Sequence, residues 1–177
     1  ALMEIRGETL VERSFRMLRG ITEDVVLLGA SELPESLRRA DRLPDPPGIH
    51  GPMAGIISAL RWSPDSTWII SAVDMPMMTR EAYAWLLGLR RPGVWAVLPR
   101  KAQEGPAETA GACYEPEIKE YLEDQAVRGN LRLQLVSRHP RAMVPEIPSF
   151  LSCAWYNINT PRDWQSVVDS GDSDGLN

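Results

Sequence analysis

Cysteine and histidine are scarce in this chain, at two residues each. Cys113 and Cys153 form no Cys-x-x-Cys pair, and His50 and His139 stand alone. That spacing argues against a structural zinc site, which gathers several nitrogen and sulfur ligands. It argues equally against a disulfide framework and reads as two thiols of a reducing compartment. Long apolar runs are missing too. None approaches the roughly 20 residues of a transmembrane helix, and no signal peptide stands at the start given. The expectation is a cytoplasmic protein with no membrane partner. Basic residues are in deficit, 19 Lys and Arg against 24 Asp and Glu, for a net charge of -5. A non-specific nucleic-acid binder carries a basic surface, so that class is disfavoured. A nucleotide substrate is not, because a local basic patch or a bound metal can hold a phosphate.

What is present is ordinary for a globular enzyme. The 177 residues suffice for one domain and are too few for two. Glu8 to Arg19 reads as an amphipathic helix with Leu10, Phe15 and Leu18 near one face, stopped by Gly20. Val25 to Leu28 is a short apolar run, the mark of a buried strand. Ser31 to Asp41 reads as a short helix, and the proline- and glycine-rich stretch from Leu43 to Gly51 as a loop. Pro52 opens a helix. Trp68 to Val73 is the clearest strand and ends at Asp74. Thr79 caps a helix to about Leu89, and a strand follows at Val94 to Leu98.

Pro116 starts a helix to about Val127. Leu131, Leu133 and Leu135 alternate as in a strand, and Met143 to Ile147 and Phe150 to Tyr156 are further strand candidates. Thr160, Pro161 and Asp163 form a helix-start signature. The six tryptophans, Trp62, Trp68, Trp85, Trp95, Trp155 and Trp164, mostly fall within elements and read as core or helix packing. Alternating strands and helices predict an α/β fold with a mostly parallel sheet covered on both faces. The expected domain spans 1–168, with a polar tail at 169–177.

Three features could carry chemistry. In open α/β sheets, ligands bind beyond the carboxyl ends of the strands, where Asp74 stands in Val73-Asp74-Met75-Pro76. A carboxylate there can hold a hard cation such as Mg²⁺; it can also simply begin a turn. The second feature is the loop from Asp45 through Gly51, Pro52 and Ala54 to Gly55, which enters a helix N-terminus suited to an anion. Taken alone, it reads first as a proline-rich connection. The third is Tyr156-Asn157-Ile158-Asn159-Thr160-Pro161. Asn157 and Asn159 are expected to alternate on a strand, so both face the same way and could bind a polar ligand. A plain strand end and helix cap is the other reading.

In combination and order, these motifs resemble the molybdenum cofactor guanylyltransferase family. The Gly-Pro-x-Ala-Gly helix start at Gly51 to Gly55, the strand-Asp-x-Pro at Asp74 and the Asn-x-Asn-Thr-Pro-x-Asp ending at Asn157 to Asp163 carry the resemblance. It spans nearly the whole chain. Residues Ala1 to Arg13 are similar to the segment after that family's signature lysine. Glu108 to Tyr114 resembles its substrate loop, and Arg128-Gly129-Asn130-Leu131 the turn before a late helix, which the resemblance puts near Leu131 to Ser137 against the strand reading.

The resemblance implies a three-layer αβα sandwich of the Rossmann-like, nucleotide-diphospho-sugar transferase type. It implies transfer of GMP from GTP to molybdenum-bearing molybdopterin, with release of pyrophosphate and with Mg²⁺ as cofactor. Asp74 would be the catalytic and metal-holding residue. Asp45, Gly51, Pro52, Ala54, Gly55 and Asp74 would bind the nucleotide, and Asn157 and Asn159 the acceptor. GTP and molybdopterin are the implied small-molecule partners, with molybdoenzyme-maturation proteins as candidate protein partners.

The chain departs from the family in two respects. The family's first strand and glycine-rich loop are absent, so Ala1 is not expected to be the biological start. Without that central strand a hydrophobic slot should stand open in the sheet. The Pro-Leu pair usual near Thr109-Ala110 is missing too. Rival readings are a sister enzyme using CTP, another nucleotidyltransferase on the same fold, and a non-catalytic nucleotide- or cofactor-binding module.

Overall fold

The computed structural model describes residues 3–5, 7–29, 32–158, 160 and 163. A two-stranded hairpin opens it, β1 (Glu4–Ile5) against β2 (Glu8–Thr9), turning at Gly7 with φ 77°. Thr9 also starts helix α1 (Leu10–Arg19) through a reciprocal cap. The Glu12 amide donates to the Thr9 hydroxyl at 3.3 Å, and the Thr9 amide donates to the Glu12 carboxylate at 2.9 Å. Strand β3 (Leu27–Leu28) pairs in parallel with β4 (Arg42–Leu43), and one 3-10 turn at Glu35–Leu37 lies between them. The expected helix over Ser31 to Asp41 therefore shrinks to that turn. Strand β4 takes a residue expected in the following loop.

Helix α2 (Pro52–Trp62) starts at the proline, where the lost N–H costs nothing. Strand β5 (Trp68–Ile70), helix α3 (Arg80–Gly88) and strand β6 (Ala96–Val97) follow where the sequence predicts them, with Thr79 accepting the Ala82 amide at 3.2 Å as the cap of α3. Strand β7 (Ala112–Tyr114) was not anticipated as a strand; it inserts antiparallel between β5 and β6. A 3-10 turn from Pro116 leads into helix α4 (Lys119–Val127). Strand β8 (Ala142–Met143) pairs parallel to β6 and closes the order β5-β7-β6-β8.

Two segments correct the sequence reading. Leu133–Arg138 is a 3-10 helix, not a strand, as the family resemblance implied. Ser149–Trp155 is also a 3-10 helix, so the strand expected over Phe150 to Tyr156 is absent. Its buried residues Leu151, Ala154 and Trp155 recur at helical rather than strand spacing. Beyond it, the Thr160 amide donates to Asp163 at 2.9 Å and the Asp163 amide donates to the Thr160 hydroxyl at 3.2 Å, the predicted capping pair. Asn159, Pro161, Trp164 and the tail at 169–177 lie outside the described residues.

Side-chain alternation along the strands builds two cores. Trp68, Ile70, Ala96, Leu98, Ala112, Tyr114 and Ala142 face one cluster with α2 and α4. Ile69, Val97, Cys113 and Met143 face the other, against α3, the end of α1 and the 3-10 helix at Ser149–Trp155. The three-layer αβα architecture is thus observed. The sheet is nonetheless split. Among the described residues β3 pairs only with β4, and β5 only with β7. A cavity of about 560 Å³ lies between these pieces, lined by Val11, Phe15, Val25 to Leu28 and Trp68 to Asp74. It leaves Val25 to Leu28 half-buried rather than buried.

Candidate functional site

Strand β5 delivers Asp74 to the carboxyl end of the sheet through two overlapping turns, in which the Met75 amide donates to Ala72 O and the Met78 amide to Met75 O. Arg13 of α1 reaches across to donate from Nε to Pro76 O at 2.8 Å, fixing the turn just after Asp74. On the other side the Ile158 amide donates to Asp74 O at 2.8 Å. That bond lays residues 157–158 alongside Asp74, so the structure brings together two motifs more than 80 positions apart in the sequence.

Among the described residues, both motifs contribute an oxygen with no protein partner. Asp74 Oδ1 and Asn157 Oδ1 are each buried and accept no hydrogen bond. Buried acceptors are normally satisfied, so such atoms call for a ligand or a functional explanation. Hard oxygen donors fit Mg²⁺, which binds through one or two carboxylates and completes its shell with waters and substrate phosphates. Among the described residues no group of three His, Cys, Asp or Glu is placed to hold a metal.

The segment carrying Asn157 is anchored from below. Trp155 is fully buried and its Nε1 donates to Gly111 O at 2.8 Å. Gly111 holds φ 78°, and a Cβ there would meet Trp155 Nε1 at 2.7 Å. The edge of Trp85 packs on Trp155 with centroids 5.7 Å apart. Of the tryptophans, Trp155 fits the core reading and Trp62 does not, being 50% exposed at the slot.

The second predicted motif divides in two. Asp45, Gly51 and Pro52 are exposed on the loop that leaves β4 and enters α2, and Gly51 caps that helix with φ 78°. Ala54 and Gly55 are buried instead. A Cβ on Gly55 would lie 3.1 Å from Leu28 Cβ, so Gly55 serves close helix–strand packing. Cys113 and Cys153 are free thiols. Burial, and then the charge of Glu115, push the Cys113 thiol up to about 12, which leaves no thiolate nucleophile there at neutral pH.

The sequence reading missed Arg100, just past β6 at the same end of the sheet, whose Nε is buried without a partner among the described residues. A lone arginine after Leu98-Pro99 gives no sequence signal. Among the described residues no helix is long and apolar enough to cross a membrane.

Comparison with known proteins agrees with this fold. A family model for the MobA-like NTP transferase domain matches residues 1–142. The molybdenum cofactor guanylyltransferase of Pseudomonas putida is 30% identical over 145 residues, covering 72% of this chain and 75% of that protein. A probable molybdenum cofactor guanylyltransferase of Aquifex aeolicus is 20% identical, over 94% of this chain and 81% of that protein. Among solved structures, molybdopterin-guanine dinucleotide biosynthesis protein A of Archaeoglobus fulgidus superposes with a TM-score of 0.80 at 20% identity, over 97% of this chain and 90% of that one. The 2-C-methyl-D-erythritol 4-phosphate cytidylyltransferase of Thermus thermophilus shares the fold at a TM-score of 0.69 and 17% identity, over 97% and 93%. With residues 1–142 matched and the αβα sheet in place, this chain belongs to the MobA-like NTP transferase family of nucleotidyltransferase domains.

Proposed function

We propose that this protein transfers GMP from GTP to the terminal phosphate of molybdenum-bearing molybdopterin, forming the guanine dinucleotide cofactor and releasing pyrophosphate. The observation that carries this reading is the pair of buried, unpartnered oxygens on Asp74 and Asn157, on two segments joined by the bond from the Ile158 amide to Asp74 O. The named relatives from Pseudomonas putida and Aquifex aeolicus support the choice of substrates.

An oxygen of the acceptor phosphate attacks the α-phosphorus of GTP, and the bond from that phosphorus to the oxygen bridging to the β-phosphate breaks. The electron pair leaves on pyrophosphate. Chemistry of this kind depends on positioning and on neutralising charge. Asp74 would hold Mg²⁺, which supplies charge neutralisation to the triphosphate. Asp45, Gly51 and Pro52 would border the nucleotide at the start of α2, where free N–H groups favour an anion, while Ala54 and Gly55 hold that helix against β3. Asn157, with Asn159, would orient the acceptor.

The test is nucleotide transfer to molybdopterin by the full-length protein with Mg²⁺, offering radiolabelled GTP or CTP. Incorporation of GMP alone is expected, and Asp74→Asn should lower the rate by about 100-fold or more. Incorporation of CMP instead would assign the sister activity, and incorporation of neither would point to a binding role.

A further inference from the structure

A second cavity, of about 360 Å³, lies between the loop after β6 and the 3-10 helix at Leu133–Arg138. Arg100, Glu104, Gln134, Ser137 and Arg138 are its polar members. Asp74 and Asn157 do not line it. Strand β7 separates β5, which leads to Asp74, from β6, which leads to Arg100.

Arg100 is built in rigidly. Its amide donates to Pro145 O at 2.9 Å, and its carbonyl accepts the Ile147 amide at 2.9 Å. Single β-bridges join it to Ala107 and Glu146. Its side chain has no such company. Nε is buried without an acceptor, and among the described residues neither Arg100 nor Arg138 makes a side-chain hydrogen bond or ion pair. A guanidinium stays charged at every physiological pH, so a buried donor on it is unfavourable until an acceptor arrives.

The other polar groups are already engaged: Gln134 Nε2 donates to Ala107 O at 2.6 Å, and Ser137 donates to Gln134 O at 2.7 Å. Glu104 is exposed and pairs with neither arginine. Arg138 is exposed as well and Arg100 half-buried, and two arginines against one carboxylate leave the lining with a cationic excess.

We propose that this cavity is an anion site for a phosphate-class oxyanion, with Arg100 as the principal ligand and Arg138 as the second. The planar fork of a guanidinium matches two oxygens of a phosphate. The oxyanion is either a free ion or the anionic end of a substrate lying along the rim. The site itself stands whether or not the transfer reaction above is correct.

The test is an NMR titration of the wild-type protein with inorganic phosphate at constant ionic strength. Saturable shifts are expected at the Arg100 Nε–H and in residues 104–107 and 133–138. Affinity should fall about tenfold or more in Arg100→Gln, fall less in Arg138→Gln, and hold in Asp74→Asn. Absence of saturation, or shifts that vanish with Asp74→Asn, would overturn the proposal. Should Arg100→Gln fail to fold, Arg138→Gln and the wild-type shift map still decide. In the transfer assay, phosphate competing with one substrate and a raised KM for it in Arg100→Gln, at unchanged kcat, identifies the anion as a substrate end. Binding without competition identifies a free ion.

Discussion

At the scale of the residue, the same atoms that suit the site for a ligand weaken the protein without one. Asp74 keeps a buried carboxylate oxygen without a donor. Burying such a group costs free energy that a metal or a neutral side chain would remove. Asp74→Asn should therefore leave the melting temperature of the ligand-free protein unchanged or raised by up to about 4 °C. The same substitution should abolish most of the stabilisation that GTP with Mg²⁺ gives the wild type. Differential scanning fluorimetry with and without nucleotide reads both.

Glycines offer a cleaner contrast. Gly111 and Gly129 share a left-handed backbone, at φ 78° and 76°, but only Gly111 lies against a side chain, Trp155 Nε1. Gly129→Ala should cost about 1 kcal/mol from backbone strain alone. Gly111→Ala adds a clash and the loss of the buried Trp155 bond, for a total of about 3 kcal/mol. Urea unfolding of the two variants measures the difference. The place of Asp74 beyond β5 was legible because the apolar run from Trp68 precedes it. Gly111 was not, because its constraint comes from a tryptophan 44 positions away.

At the scale of the element, the helices were read well where a cap announced them. Pro52, Thr79 and the Thr160–Asp163 pair all act as predicted. Strand β7 escaped because Ala112-Cys113-Tyr114 is buried on both faces, so it shows no polar alternation. The leucines at 131, 133 and 135 misled for the opposite reason: they alternate, yet only Leu133 is buried, together with Val136 one helical turn on.

His139 ties three of these elements together. It stacks on Trp95 at 4.9 Å, just before β6, and meets Tyr121 of α4 at 4.6 Å, at the end of the 3-10 helix. Burial, and then the charge of Arg141, hold its imidazole below the ordinary histidine range. The unfolded chain therefore binds the proton more readily than the folded one. The stability linked to this ring is fully present above the ordinary pKa of about 6.5 and is lost as pH falls through the folded value. His139→Phe keeps the stacking and removes the titration. Its melting temperature should fall less than that of the wild type between pH 7 and pH 5.

At the scale of the whole molecule, the layered plan was legible because strand and helix patterns alternate along the chain. The join between distant motifs was not, since it rests on a single backbone bond from Ile158 to Asp74. The open slot between β3 and β5 has an optical consequence. Trp62 and Trp68 both line it, with ring centroids 5.9 Å apart. Whatever enters that space displaces water from two of the six indoles. A chain of these 177 residues should bind a hydrophobic dye such as anilinonaphthalene sulfonate while still folded. Energy transfer from tryptophan to dye should drop in Trp62→Ala, Trp68→Ala and the double variant. Filling the slot should shift the tryptophan emission to the blue, which makes the protein's own fluorescence a gauge of how completely its sheet is closed.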